Sequence, residues 1–230
     1  MSSGPTIRAE PRAVHRVGRR PDPWRWAPWK YAPFTGRWDD PDGRFRVLYT
    51  SASRFACLVE VLAPFRPDPA VIAASQVVRD DPRDATWETV PVGVLPAEWL
   101  DARVVGTATL EGAHIAVGEP ASLAWLRRQA AALLVVHGLS DIDGSTIRET
   151  VRAFTRALSR WLYELESPLL DGIEFESRHG NGLVLWATYE SVADGDSSAL
   201  VIGRRTTDLS STDPDLRQAL ELHGLRLDGS

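Results

Sequence analysis

Three polar side chains sit in an apolar frame between Phe34 and Phe65, and a fourth lies far downstream. Gly36, Arg37 and Trp38 open the first stretch, Tyr49 ends a short apolar run, and Glu60 lies in a helical one. Phe55, Leu58, Val59 and Leu62 have the spacing of a buried helical stripe. Glu60 falls off that stripe, beside Ala56 and Ala63. A carboxylate between two small residues has room for a ligand; the plainer reading is a solvated Glu on an outer face. The fourth residue is Ser177, at the end of an alternating row with Ile173 and Phe175. A buried hydroxyl there needs a partner, and a strand cap or a bond to backbone would satisfy it as well as a site would.

The elements that place these groups follow from local chemistry. Asp39-Asp40-Pro41-Asp42-Gly43 reads as a turn, because Pro presets φ, Asp bonds back to the backbone and Gly accepts positive φ. Arg46 to Thr50 reads as a strand with Val47 and Tyr49 on one face and Leu48 and Thr50 on the other. Ser51 or Ser53 caps a helix that runs to about Leu62 and stops before Pro64. Downstream, Gly172 to Ser177 and Leu183 to Tyr189 form a hairpin across the turn His179-Gly180-Asn181-Gly182.

Gly36-Arg37-Trp38, the turn with Gly43, Val47-Leu48-Tyr49-Thr50-Ser51 and Glu60-Val61-Leu62 together resemble the RES domain, a family named for its Arg, Glu and Ser. Asp171-Gly172-Ile173 through Ser177-Arg178, then Leu185-Trp186-Ala187, resemble the part that carries its Ser. Asp39 departs from the Asn found in many members, and the gap between Glu60 and Ser177 is longer than in compact ones. The resemblance implies an α+β single domain with an ADP-ribosyltransferase-like RES fold, its mixed and antiparallel sheets flanked by helices. It places that domain at residues 14–190, after a flexible tail (1–13) and before a C-terminal extension with a short helix (191–230).

The resemblance also implies an NAD+-cleaving enzyme that acts as a toxin. Its catalytic residues would be Arg37, Glu60 and Ser177, and its NAD+-binding residues Arg37, Tyr49, Glu60 and Ser177. Arg37 would clamp the pyrophosphate, and Tyr49 would stack on nicotinamide or bond the ribose. Glu60 would hold a ribose hydroxyl and favour the oxocarbenium-like centre. Ser177 would position Glu60 or the ribose. NAD+ is then a substrate, with no prosthetic group. Phosphate or water ranks first as acceptor, making a phosphorylase or a glycohydrolase. An ADP-ribosyltransferase acting on a protein, or a silent binding module, is the alternative. Inorganic phosphate, an Xre-like antitoxin and a second copy in a homodimer complete the expected partners.

Composition narrows the field. The chain has 230 residues, 43% hydrophobic and 25% charged, with net charge −5, so a general basic footprint for nucleic acid is missing. No apolar run reaches membrane-spanning length, and the arginines at the N-terminus precede no apolar h-region. Cys57 is the only cysteine; it reads as a packing residue, and a cytoplasmic location is expected. The histidines show no metal-ligand spacing, and no Gly-rich phosphate loop or GxSxG elbow occurs.

Other segments carry simpler expectations. Pro21 to Pro33, with Trp24, Trp26, Trp29 and Tyr31, reads as an extended loop that pins aromatics to the domain and roofs a pocket, ahead of a stacking platform for single-stranded nucleic acid. Val71 to Val78 reads as helix or strand. Asp80 to Asp84 reads as a loop and Trp87 to Val94 as an edge strand. Thr107 to Leu110 and His114 to Val117 read as a hairpin. Pro120 starts a helix. Thr146 to Glu149 reads as a capping box for one long helix to Leu165, with Arg148, Arg152, Arg156 and Arg160 on a face that could meet phosphates or an acidic partner but reads first as solvated. Asp213 caps a terminal helix.

Overall fold

A computed structural model describes residues 4–77, 92–148 and 152–228. The first third contains β1 (Ile7–Arg8), β2 (Arg12–Arg19), β3 (Val47–Ser51), α1 (Arg54–Leu62) and α2 (Pro69–Val77). The middle contains β4 (Val94–Leu95), α3 (Ala97–Asp101), β5 (Arg103–Leu110), β6 (His114–Ala116), α4 (Pro120–Gln129), α5 (Ala131–Val136), α6 (Gly144–Arg148) and α7 (Ala153–Tyr163). The last part contains β7 (Gly172–Glu176), β8 (Val184–Tyr189), β9 (Val201–Asp208), α8 (Pro214–His223) and β10 (Arg226–Leu227). None of the described helices is long and apolar enough to cross a membrane.

Eight strands form one mixed sheet in the order β1-β6-β7-β8-β3-β2-β5-β9, and β10 pairs with β4 apart from it. Every pairing in the main sheet is antiparallel except β6 with β7. Alternation divides the strands between layers. Val47, Tyr49, Ile173, Phe175, Leu185 and Ala187 face a core closed by α4 to α7. Val17 and Val105 face a second core closed by α1, α3 and α8. Val14, Leu48, Ala108 and Trp186 face a third cluster completed by Trp24 and Trp26. The expected hairpin 172–189 and the two faces of β3 are therefore as read from the residues.

The sheet is weakest at its centre. β2 and β3 pair only at His15↔Ser51 before they part. Arg16 spans the gap, donating to the carbonyls of Tyr49 at 2.7 Å and Pro23 at 2.6 Å. That opening, roofed by α1, is where the polar groups meet.

Several expectations are corrected. The tail expected to fray joins the sheet from Ile7 onward: β1 lies on β6, and Arg8 and Arg12 reach the buried carboxylate of Glu174. The C-terminal segment is no appendage either. β9 pairs along β5, and α8 puts Leu216, Ala219 and Leu220 against Leu58 and Leu62 of α1, so a boundary at 190 would cut through one core. β5 and β6 make no hairpin, because β2 and β9 occupy both edges of β5 while β6 lies between β1 and β7.

The long helix expected from Thr146 is two helices, α6 and α7. The residue whose side chain takes up the Thr146 N–H is Asp143, at 2.8 Å. Glu149 of the expected capping box, the expected loop 80–84 and most of the expected strand 87–94 lie outside the described residues. The 71–78 run is helical as far as Val77. The Trp-rich segment pins Trp24 and Trp26 as expected, but Trp29 and Tyr31 stay exposed, and no residue of 21–33 lines the cleft that Glu60 borders. Trp24 and Trp26 are buried on the opposite sheet face, and Trp24 lies so close to Gly106 that a Cβ there would stand 2.5 Å from its ring.

Candidate functional site

Helix α1 presents Glu60 because its other faces are committed. The Ser53 hydroxyl accepts from Ala56 N–H at 3.1 Å and starts the helix. Leu58, Val59 and Leu62 then turn into the core. Glu60, half-buried, points into the gap between β2 and β3. The Ser177 hydroxyl donates to Glu60 Oε1 at 2.5 Å and accepts from the backbone N–H of His179 at 2.9 Å. Ser177 is 2% exposed, so its hydroxyl is satisfied inside the protein. The solvated Glu and the merely capping Ser are both set aside.

Arg37 stands on a loop gripped from outside by α7. The Arg152 guanidinium donates to Thr35 O, and Arg156 donates to Asp40 O and Pro41 O at 3.2 Å each. The Ser159 hydroxyl donates to Trp38 O at 2.5 Å. Arg160 holds the Asp40 carboxylate at 2.5 Å and that of Asp42 at 2.6 Å. Of the arginine face expected to be solvated, Arg152, Arg156 and Arg160 form a clasp on residues 35–42, while Arg148 pairs with Glu176 and Asn181. Arg37 itself donates to the carbonyls of Ile147 at 2.9 Å and Arg148 at 3.2 Å, at the end of α6. Burial, followed by the charges of Arg152 and Arg178, lowers the pKa of its guanidinium.

Tyr49 is placed as expected, with a narrower role. Its phenol donates to Asp39 Oδ1 at 2.9 Å and accepts from Trp38 N–H at 3.0 Å. The hydroxyl proton is therefore spent inside the loop, and the aromatic ring is what the residue offers a ligand. Burial and then the Asp39 carboxylate push its pKa well up. Asp39 Oδ2 meanwhile accepts from Gly36 N–H at 2.6 Å. An acid at this position thus accepts two donors at once, which the single oxygen of an Asn side chain would have to share.

These groups border a cleft of about 530 Å³, within the range of small-molecule sites. Arg37, Tyr49 and Glu60 line it directly, and Ser177 stands behind Glu60. Phe175 and Leu185 supply apolar wall. Cys57 also lines it, but burial raises its thiol to about 12, which fits the packing role expected of it.

Sequence reasoning missed most of the cleft's positive charge. Arg16, Arg66, Arg152 and Arg178 join Arg37 around it, while Glu60 is the one acidic side chain among the described lining residues. Burial takes Arg16 down to about 10. His179 completes the wall, and burial with the nearby arginines pulls its pKa down to about 4. Arg178 and His179 directly follow Ser177, so adjacency to the site serine was the available signal for them. Arg66 gave none. The described residues include no group of side chains arranged to hold a metal ion.

A positive cleft with one carboxylate suits a ligand with anionic and cationic parts. The RES domain family model matches residues 13–202. No curated protein matches the chain. A similar solved structure is a chain of the M. tuberculosis MbcT–MbcA toxin–antitoxin complex, with TM-score 0.55 and 16% identity over 95% of this chain and 92% of that one. At that identity the likeness is one of fold, and it agrees with the mixed sheet flanked by helices.

Proposed function

The chain belongs to the RES domain family, and from that membership and the cleft we propose that it cleaves NAD+ between nicotinamide and ribose. The observation that carries this reading is one carboxylate, Glu60, held by Ser177 in a cleft otherwise ringed by arginines. NAD+ has the matching charges: an anionic pyrophosphate and a cationic nicotinamide ribose. Arg37, pinned by two carbonyls, presents its guanidinium to the pyrophosphate with little freedom left to lose. The Tyr49 ring offers a stacking face to the nicotinamide. As the C1′–N bond breaks, its electron pair stays on nicotinamide, and positive charge spreads over C1′ and the ring oxygen. Glu60 stabilises that charge in a partly dry site, where electrostatics act strongly. An acceptor oxygen then bonds to C1′.

Water or inorganic phosphate is the acceptor we favour. The physiological role we propose is that of a toxin restrained by an antitoxin. RES membership supports this role, as does a fold shared with a chain from a toxin–antitoxin complex. Mass spectrometry of products after incubation with NAD+, with and without phosphate, tests the chemistry. We expect nicotinamide together with ADP-ribose or its 1-phosphate. Intact NAD+ under both conditions would overturn the reading, and ADP-ribose attached to protein would redirect it to transfer.

A further inference from the structure

His179 lines the cleft, yet neither of its ring nitrogens makes a hydrogen bond among the described residues. Its place relative to Glu60 is set from two sides. Its backbone N–H donates to the Ser177 hydroxyl, which itself donates to Glu60. Its ring packs edge-on against His223 with centroids 5.7 Å apart. His223 Nε2 lies 2.8 Å from Val59 O; a carbonyl only accepts, so that nitrogen carries the proton. Val59 directly precedes Glu60 on α1. The His179 backbone is thus tied to the residue that holds the carboxylate, and its ring packs on a histidine bonded to the helix that bears it.

We propose that His179 is the catalytic base for the acceptor: its imidazole takes the proton from a hydroxyl, water in the simplest case, as that oxygen bonds to ribose C1′. This rests on the NAD+ reading above. The step balances as follows. The C1′–N bond breaks with its electron pair going to nicotinamide, the O–C1′ bond forms, and the acceptor proton passes to His179 and on to solvent. Burial, followed by the charges of Arg66, Arg178, His223 and Arg37, keeps the imidazole unprotonated in the free protein, so its lone pair is open; an anionic pyrophosphate bound among those arginines would offset their charge and favour the imidazolium the step forms.

Nicotinamide release by His179→Gln in phosphate-free buffer, with and without sodium azide, tests the inference. Azide attacks C1′ without a proton to lose, so it needs no base. We expect turnover with water to fall about 100-fold, the lower end for a positioned base. Azide should restore the rate to within about tenfold of wild type, with the azido-sugar as product. Unchanged turnover with water would overturn the proposal. So would loss with both acceptors in a variant that melts like wild type, which marks a structural role. His179→Asn replaces the Gln variant if that one does not fold. Turnover that requires phosphate and is equal in wild type and variant would overturn it too. Wild type that leaves NAD+ intact both with and without phosphate would overturn both readings, whereas an active wild type with an equally active variant would sink this one alone.

Discussion

The Ser177 hydroxyl and Glu60 Oε1 meet at 2.5 Å although 117 residues separate them in the chain. The bond orients one carboxylate oxygen and leaves the other for a ligand. Ser177→Ala removes the donor and leaves the backbone in place. A hydrogen bond to a charged group contributes about 1.5–3 kcal/mol. If that energy is expressed in the transition state, kcat for nicotinamide release should fall about 10- to 100-fold with KM nearly unchanged. Steady-state kinetics of the variant would show it; equal loss in KM alone would mean that the bond serves binding.

Arg160 and Asp40 form the inner half of the α7 clasp, and Asp40 is 0% exposed. The Asp40 carboxylate also accepts from the N–H groups of Asp42 at 3.1 Å and Arg44 at 2.7 Å. Arg160→Ala leaves this acid buried with backbone donors alone. We expect a loss of about 3 kcal/mol in a urea titration, the scale for breaking a buried pair. Asp40→Asn combined with Arg160→Ala should recover part of it, since the uncompensated charge is then gone.

Gly36 has no room for a side chain. A Cβ there would lie 2.5 Å from the Tyr49 hydroxyl and 2.8 Å from both Asp39 carboxylate oxygens. Gly36→Ala must therefore break the bonds that hold the Arg37 loop. We expect about 1–3 kcal/mol of destabilisation, as for other overpacked sites, and a raised KM for NAD+. Thermal melting and kinetics check the two effects separately.

What could be read from residue order was whatever depends on neighbours. Ser53 and Asp213 are caps by side-chain chemistry alone, and each caps its helix in the structure. The faces of β3 and β7 follow from alternation, which brought Tyr49 and Ser177 inward. Other features depend on distant partners. β9 is exposed on both faces from Ile202 to Asp208, so it has no apolar alternation to betray a strand. The arginines of α7 have the spacing of a solvated face; what distinguishes them is a loop more than a hundred residues away whose carbonyls they reach. Arg16 and Arg66 enter the cleft only because β2 parts from β3 and the chain turns after Pro64.

Stability should depend on pH through the buried histidines. Burial lowers the pKa of His114 from 6.5 to about 4, while its ring nitrogens bond Gly112 O and Thr188 Oγ1. The unfolded chain then binds a proton more readily than the native one. Stability from this residue is complete above pH 6.5 and falls as pH drops towards 4. The loss from His114 is on the order of 3 kcal/mol once pH reaches about 4. Burial depresses His179 to about 4 as well and also lowers His15, so both add in the same direction. Urea midpoints between pH 8 and 4 should decline for wild type and decline less for His114→Gln.

Nicotinamide release from NAD+ by wild type beside Glu60→Gln tests the central claim most directly. Gln keeps the shape and can still meet the Ser177 hydroxyl, so the fold should survive while the charge opposite C1′ disappears. We expect wild-type turnover and a drop of at least about 100-fold in the variant, the scale for removing one electrostatic group that stabilises a transition state. Equal turnover in the two proteins would contradict the claim that this carboxylate does the chemistry.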